Sequence, residues 1–334
     1  MKGTCRLCRY DRDLQESHRI PRFVFRWLKE TSPTGIRQSR HPNVRVQDGW
    51  KEHYLCRECE GRFSAWEAEF ARHVFRPYHD RERDARAALR YGAWCLPFCV
   101  SVSWRILCFS METGNAPKMS PVQRAIVDDA LETWRQYLLD LRADPGVFEQ
   151  HIFPVDTVED GPRKLMSPFL NRYLLRAVQE DVIADSESVL TFAKLGRILL
   201  FGFVEPPRGL VGWKIRVRKG YIAPKTMRMP YGIGVYIREQ ADRCAASYAS
   251  MSDKQKTVAQ SGAERAADEN MESFRAMQSD VMHTGADAFS ITQRRSGPQM
   301  GRPDSPPLQK MGSLHGKRVR LTGQLGGASR RRTQ

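Results

Sequence analysis

A chain of 334 residues with 41 % apolar side chains can bury a core of its own, and no run approaches the roughly 18 apolar residues of a membrane span. The formal charge of +16 is carried by residues 1–90 and 291–334, whereas residues 91–290 balance, so attraction for polyanions is expected at the two ends. There is neither a Walker-type Gly-Lys-Ser/Thr nor a Gly-x-Ser-x-Gly, so neither a phosphate-cradling loop nor a serine-nucleophile turn is expected.

Met1-Lys2-Gly3-Thr4-Cys5 lacks the apolar core of a signal peptide. Cys5 and Cys8 form one Cys-x-x-Cys pair, and Cys56 and Cys59 form a second. Each pair places two thiolates on one tight turn, and two pairs supply the four sulfurs of a tetrahedral structural Zn²⁺ site. The alternative for such pairs is thioredoxin-like redox chemistry, but neither sits between a strand and a helix in the manner that chemistry uses. Between them, Phe23 to Lys29 reads as a short helix that Thr31-Ser32-Pro33-Thr34-Gly35 breaks. Residues 36–49, with Arg37, Arg40, Arg45 and a Gln47-Asp48-Gly49 turn, read as a β-hairpin whose arginines track a phosphate backbone.

After Cys59 the apolar residues Phe63, Trp66, Phe70 and Val74 recur at helical spacing, and Pro77 is expected to end that helix. His73 and His79, at its end, read as exposed caps. Knuckle, extended middle, and knuckle leading into a helix is the outline of a treble-clef zinc finger of ββα-metal type.

Cys-x-x-Cys, then His18-Arg19-Ile20-Pro21, then Leu55-Cys56-Arg57-Glu58-Cys59-Glu60 resembles the finger of HNH endonucleases over about the first 80 residues. In that family the histidine before x-Ile-Pro activates water. The residue before it and the residue after the last cysteine hold a divalent metal against the scissile phosphate. The resemblance makes His18 the general base and Glu60 a ligand for Mg²⁺ or Mn²⁺. Ser17 stands where the family has Asp or His. The usual Asn before the last knuckle is replaced by the neighbourhood of Lys51, Glu52 and His53, and Asp48, His53 and Glu67 are candidates to complete the site. Read without the resemblance, His18 is a hydrogen-bonded surface residue and Glu60 an acid in a first helical turn.

Asp80 to Arg90 reads as a charged helix surface. The segment from Tyr91 to Met111 is the most apolar of the chain and reads as a buried helix docking the finger onto a second region. Cys95, Cys99 and Cys108 there, and Cys244 beyond, read as buried small hydrophobes in a reducing cytoplasm. Ser120-Pro121 opens a helix carrying Val122, Ile126, Ala130, Trp134, Leu138 and Leu141. Residues 148–230 read as a small, mostly antiparallel sheet, with Val189 to Val204 rich in β-branched and aromatic residues around Gly196 and Gly202, Trp213, Ile215 and Val217 alternating with cations, and turns at Gly209, Gly212 and Gly220. A helix with Ile233, Ile237, Ala241, Cys244 and Tyr248 follows, then a polar helix or linker over 251–290 and a disordered basic tail over 291–334.

The expectation is therefore an α+β protein: a finger over 1–90, an α+β region over 91–250, a polar segment over 251–290 and a basic tail. Its expected function is metal-dependent cleavage of nucleic acid, DNA in the first place, using His18 and Glu60, with Zn²⁺ on Cys5, Cys8, Cys56 and Cys59. The alternative is a zinc-stabilised binding or interaction module that does not cut. No membrane partner is expected.

Overall fold

The computed structural model describes residues 1–79, 88–156, 167–205, 213–216, 220–222 and 231–284. The expected helix surface over 80–87, the turns at Gly209 and Gly212, Val217 and the basic tail lie outside the described residues.

Mixed helix and antiparallel sheet make the chain α+β. β1 (Lys2–Thr4) and β2 (Asp11–His18) are followed by α1 (Arg22–Glu30), β3 (Ile36–Gln38), β4 (His41–Val46), β5 (Lys51–Cys56) and α2 (Arg57–Phe70). β2 is the centre of a three-stranded sheet, pairing antiparallel with β1 and β5, and β3 and β4 form the expected hairpin. α1 is amphipathic and buries Val24, Phe25 and Trp27. Gly49, in the turn before β5, lies so close to the Phe25 ring that any Cβ would collide with it.

Pro77 does not end the helix. α2 passes into a π-turn at Ala71–Phe75 and continues as the short helical segment α3 (Arg76–His79). A proline in a helix removes one N–H and crowds the preceding turn, and widening that turn accommodates the ring without breaking the axis. His79 is also not an exposed cap. It is 5 % exposed, stacks on Phe75 with centroids 3.9 Å apart, and bridges two distant segments of the chain. Its Nδ1 lies 2.7 Å from the Phe75 carbonyl and its Nε2 accepts the Arg197 N–H at 2.9 Å. His73 does stay largely exposed, beside Glu69.

The second region begins with β6 (Leu89–Tyr91), a strand at the end of the stretch expected to be helical, followed by α4 (Cys95–Glu112) and α5 (Pro121–Leu138). Then come β7 (Gln150–Pro154), α6 (Leu170–Arg176), β8 (Val178–Ala184), β9 (Val189–Leu195), β10 (Ile198–Glu205), β11 (Trp213–Lys214) and β12 (Gly220–Ile222). Five strands form an antiparallel sheet in the order β11-β7-β10-β9-β8, and β12 pairs with β6, so Gly220 is in a strand rather than a turn. Every residue of β9 is buried, and all of β10 except Glu205. Successive side chains divide between two cores. Ile152, Val189, Ala193, Ile198 and Leu200 join the core shared with the N-terminal region, while Phe153, Leu190, Phe192, Leu199 and Phe201 face α6 and the helix that follows the sheet. A sheet covered on both faces loses the polar alternation of a half-exposed one.

α4 is, among the described residues, long and apolar enough to cross a membrane, contrary to the expectation that no such run exists; 72 % of it is buried inside the protein. α5 opens on the expected cap: the Ser120 hydroxyl accepts the Gln123 N–H while the Gln123 side chain accepts the Ser120 N–H. Its buried stripe is shifted from the expected one, running through Gln123, Val127, Ala130, Trp134, Tyr137 and Leu138, with Val122 and Leu141 exposed.

α7 (Tyr231–Ala249) is followed by α8 (Asp253–Asp268) and α9 (Glu272–Thr284). The expected polar helix or linker is thus two packed helices. Ala259, Ala263 and Ala266 are buried on α8, and Ala276, Met277 and Asp280 on α9. Asp280 accepts from Arg172 Nε at 2.6 Å and from the backbone N–H of Asn171 at 2.7 Å, which ties α9 to the start of α6.

Candidate metal centre and the adjacent polar site

The first knuckle leaves β1 as a tight turn. The Cys5 N–H donates to Tyr10 O at 3.0 Å, the Arg9 N–H donates to Cys5 O at 2.8 Å, and Arg9 takes a positive φ of 65°. The second begins where β5 ends: Cys56 is the N-cap of α2 and Cys59 lies in its first turn, so this pair does sit between a strand and a helix, contrary to the expectation from the sequence. Because β2 pairs with β5 and Leu14 lies opposite Cys56, the two turns meet at one end of the sheet. One sulfur from each of Cys5, Cys8, Cys56 and Cys59 lies within 4.8 Å of all the others. Cys8 Sγ and Cys56 Sγ are 3.9 Å apart, against an edge of about 3.8 Å for a tetrahedron with ~2.3 Å metal–sulfur bonds. The donor set therefore fits a metal ion.

The thiols respond to this crowding. Cys5 is pushed down to about 4, first by the hydrogen bond from Cys59, with backbone N–H groups assisting against burial. Cys59 is pushed up in turn, first by the same contact with Cys5, and burial pushes Cys8 up. One thiolate is thus tolerated by sharing its neighbours' protons. Holding all four as thiolates takes a cation. No other group of three or more His, Cys, Asp or Glu side chains is so placed among the described residues.

His18 and Glu60 are both close to the sheet end but do not share a partner. Ser17 and His18 project to opposite faces of β2. Ser17 is 2 % exposed and donates its hydroxyl to Glu60 Oε2 at 2.6 Å, across to the first turn of α2. His18 instead places Nε2 2.9 Å from Asp48 Oδ2. That contact is short but off the line of a good hydrogen bond. Burial pushes the Asp48 carboxyl up, but His18, the Gly49 N–H and Lys29 outweigh it and leave it below its ordinary value. Of the three residues considered as completing the site, Asp48 is the one that reaches His18. His53 turns its Nδ1 to Leu14 O at 3.2 Å, and Glu67 pairs with Arg105 at 2.7 Å.

Arg105 and Arg19 were missed by the sequence reading. Arg105, buried on α4, donates Nη1 to the His18 carbonyl at 2.6 Å and Nη2 to Glu67, so it clamps the strand that carries His18 from the second region. Burial raises the Glu67 carboxyl, against the opposing pull of Arg105. Arg19 pairs with Glu180 of β8 at 2.6 Å and lies 3.8 Å over the Phe109 ring. Arg105 shows in the sequence only as a cation in an apolar run, and Arg19 only as the variable position of His18-Arg19-Ile20-Pro21.

The basic surface is partly neutralised. Arg6, Arg9 and Arg12 around the first knuckle pair with Glu112, Glu132 and Glu58. In the hairpin, Arg37 is held by Pro42 O and Gln255, while Arg40 and Arg45 have no ion pair among the described residues. No protein-family model, curated protein or solved structure matches this chain.

Proposed function

We propose that residues 1–79 form a zinc-stabilised treble-clef finger of HNH type that hydrolyses phosphodiesters of nucleic acid, DNA in the first place. The observation that carries this reading is the pair of contacts at the end of β2: His18 with Asp48 at 2.9 Å, and Ser17 with Glu60 at 2.6 Å on the opposite face. His18 with Asp48 supplies the residue types of base and orienting group, and Glu60, held by the residue next to His18, supplies that of a metal ligand. Asp48 faces Nε2 at 2.9 Å, which leaves Nδ1 as the imidazole nitrogen to take a proton from water. Arg105 fixes the strand carrying the base. Glu60 is an oxygen donor suited to Mg²⁺ or Mn²⁺, which bind through one or two carboxylates with water and phosphate oxygens completing the shell. When bound, such a cation supplies charge stabilisation to the attacked phosphate. Zinc is the ion for the cysteines, because four thiolates in a tetrahedron favour it and it brings no redox chemistry.

A second reading rests on a specific observation: around His18 and Glu60 no group of three ligands is assembled among the described residues. In that reading the finger binds nucleic acid through Arg40 and Arg45 without cutting it. Plasmid DNA incubated with the purified protein and Mg²⁺ or Mn²⁺ separates the two. Cleavage by wild type that His18→Ala abolishes, with zinc content and DNA binding retained, is the expected outcome. Equal DNA binding by both proteins with no cleavage under either cation removes the nuclease.

A further inference from the structure

Many cations of the N-terminal region are neutralised within the protein: Arg6, Arg9, Arg12, Arg19, Lys51 and Arg62 each meet a carboxylate. The β3–β4 hairpin is different. Residues 36–46 hold Arg37, Arg40 and Arg45 and no acidic residue, and none of the three has an ion pair among the described residues. Arg37 lies directly opposite Arg45 in the register of the two strands, an arrangement in which like charges destabilise the pairing. The half-buried Arg37 guanidinium spends its bonds on neutral acceptors, Pro42 O and Gln255 Oε1, both at 2.8 Å. Burial, and after it the charge of Arg45, holds its basicity below the ordinary arginine value.

The start of α8 is fastened to this hairpin. The Ser252 N–H donates to Asn43 Oδ1 at 2.9 Å, Gln255 holds Arg37, and a side chain on Gly262 would strike Thr34, just ahead of β3. At the end of α7, the Ser247 hydroxyl donates to Ser39 O in the hairpin turn at 2.8 Å. These contacts lay α8 along the hairpin and bring Lys254 and Lys256, on either side of Gln255, to the same edge of the molecule. Lys254 is exposed and Lys256 half-buried, and neither has an ion pair among the described residues. The acid between them and the hairpin contact, Asp253, sits in the first turn of α8, where a helix N-terminus favours a carboxylate. Two elements locked together by side-chain bonds thus carry one basic surface.

A single small anion meets one or two of these cations. β4 alone has 6 residues, about 20 Å at ~3.3 Å per residue, so neutralising the surface takes a chain of anions. A duplex strand carries one phosphate per ~3.4 Å of axis, and guanidinium forks bond phosphate oxygens in pairs. β4 also leads through Gln47 to Asp48, the residue that faces His18, so a backbone lying along the hairpin runs toward that pair. We propose that the β3–β4 hairpin and the start of α8 together form the surface that holds a nucleic-acid backbone, with Arg40, Arg45, Lys254 and Lys256 binding its phosphates and Arg37, through Gln255, fixing the hairpin on α8. Resting on the nucleic-acid reading above, this gives the second region a part in binding the strand that the finger acts on.

Fluorescence anisotropy of a labelled DNA duplex of about 20 base pairs with the full-length, zinc-loaded protein, without Mg²⁺ or Mn²⁺ and from ~50 to ~200 mM salt, tests this. Wild type is expected to bind saturably, with an affinity that falls steeply as salt rises. Arg40→Gln with Arg45→Gln, and separately Lys254→Gln with Lys256→Gln, are each expected to weaken binding about tenfold and to reduce the slope of log K against log salt by about 2. Arg124→Gln with Arg142→Gln removes the same charge from exposed positions at the start of α5 and just beyond its end, and is expected to keep the wild-type affinity and slope. Lys254 is exposed, so Lys254→Gln alone, with a slope smaller by about 1, decides the α8 arm if Lys256→Gln disturbs folding. The proposal is overturned if wild type does not bind, if the hairpin or the α8 variants bind as wild type does, or if the α5 variants lose as much as they do. DNA cleavage with unchanged binding in the hairpin and α8 variants overturns this inference alone. Binding that these variants lose, without cleavage by wild type under either cation, leaves it standing and removes the nuclease.

Discussion

His79 illustrates what a single residue conceals in a sequence. At a helix end, next to a proline, it looks like a solvated cap, yet β10 brings Arg197 onto it and Gly196 folds against its ring with a φ of +60° that favours glycine. No local pattern encodes a contact made by a strand so distant in the chain. Burial drives its basicity well below the ordinary histidine value, with Phe75 O opposing and Arg197 assisting. A histidine held neutral in the folded state and free to protonate when unfolded contributes stability that is present above pH ~6.5 and lost as the pH falls below it. The expected NMR signature is an imidazole that keeps its neutral tautomer at pH 5.5; a protonated ring at that pH would show that His79 is solvated. Glu132 acts in the same direction at lower pH. Hydrogen bonding from Arg135, above all, holds it down to about 2, with Gln136 and Arg9 adding to that. Its contribution is complete above the ordinary 4.5 and disappears as the pH falls toward 2, which loosens the Arg9 contact of the first knuckle. The cysteines were legible because their spacing is itself the chemistry. Cys56→Ala is expected to lose the bound metal and lower the melting temperature, and metal analysis beside a thermal melt checks both.

Elements with a strong period or a cap were readable, and elements held by small residues were not. The Ser120-Pro121 start of α5 shows in four letters, because hydroxyl, proline and the following glutamine each satisfy a stated need of a helix terminus. α8 and α9 look like a polar linker because the residues they bury are chiefly alanine, which packs closely without registering as apolar. Gly262 makes the point: a side chain there would strike Thr34, so α8 approaches the N-terminal region through absence of bulk. The tie that fixes α9 is also invisible in sequence, since Asp280 and Arg172 are more than a hundred residues apart. Asp280 is 2 % exposed and accepts from the Arg172 side chain and from two backbone N–H groups. Removing one partner of a buried, hydrogen-bonded ion pair costs about 3–5 kcal/mol. Asp280→Ala is expected to lose stability of that order in urea unfolding and to expose α9 to early amide exchange. Wild-type stability and exchange in this variant would mean that α9 packs without the pair.

At the scale of the molecule, the sequence divides the chain by charge and motif, but packing does not follow that division. The aromatic residues of the N-terminal sheet and α2 pack against α4 as well as against one another. Phe70 stacks on Phe98 with centroids 3.9 Å apart, and Tyr54 and Phe63 both meet Trp104. Arg105 reaches from the same helix to the His18 carbonyl, and Arg19 from the end of the finger to Glu180. Each aromatic pair contributes about 0.5–1.5 kcal/mol beyond its buried area, and without α4 the buried faces of Phe63 and Phe70 would be left to water. Four thiolates on a metal stabilise a small finger by themselves, so the question is whether that is enough to order the site as well as the knuckles. It is not expected to be. A fragment of residues 1–90 should take up about one zinc, yet expose its aromatic residues, bind a hydrophobic dye, and give poorly dispersed NMR signals for residues 17–30 and 45–55. Adding residues 91–284 restores dispersion through α4, whereas loss of the tail beyond 284 leaves it intact. A 1–90 fragment with native-like dispersion around His18 and Asp48 would show that the finger is a self-sufficient module and that the clamp from Arg105 is dispensable.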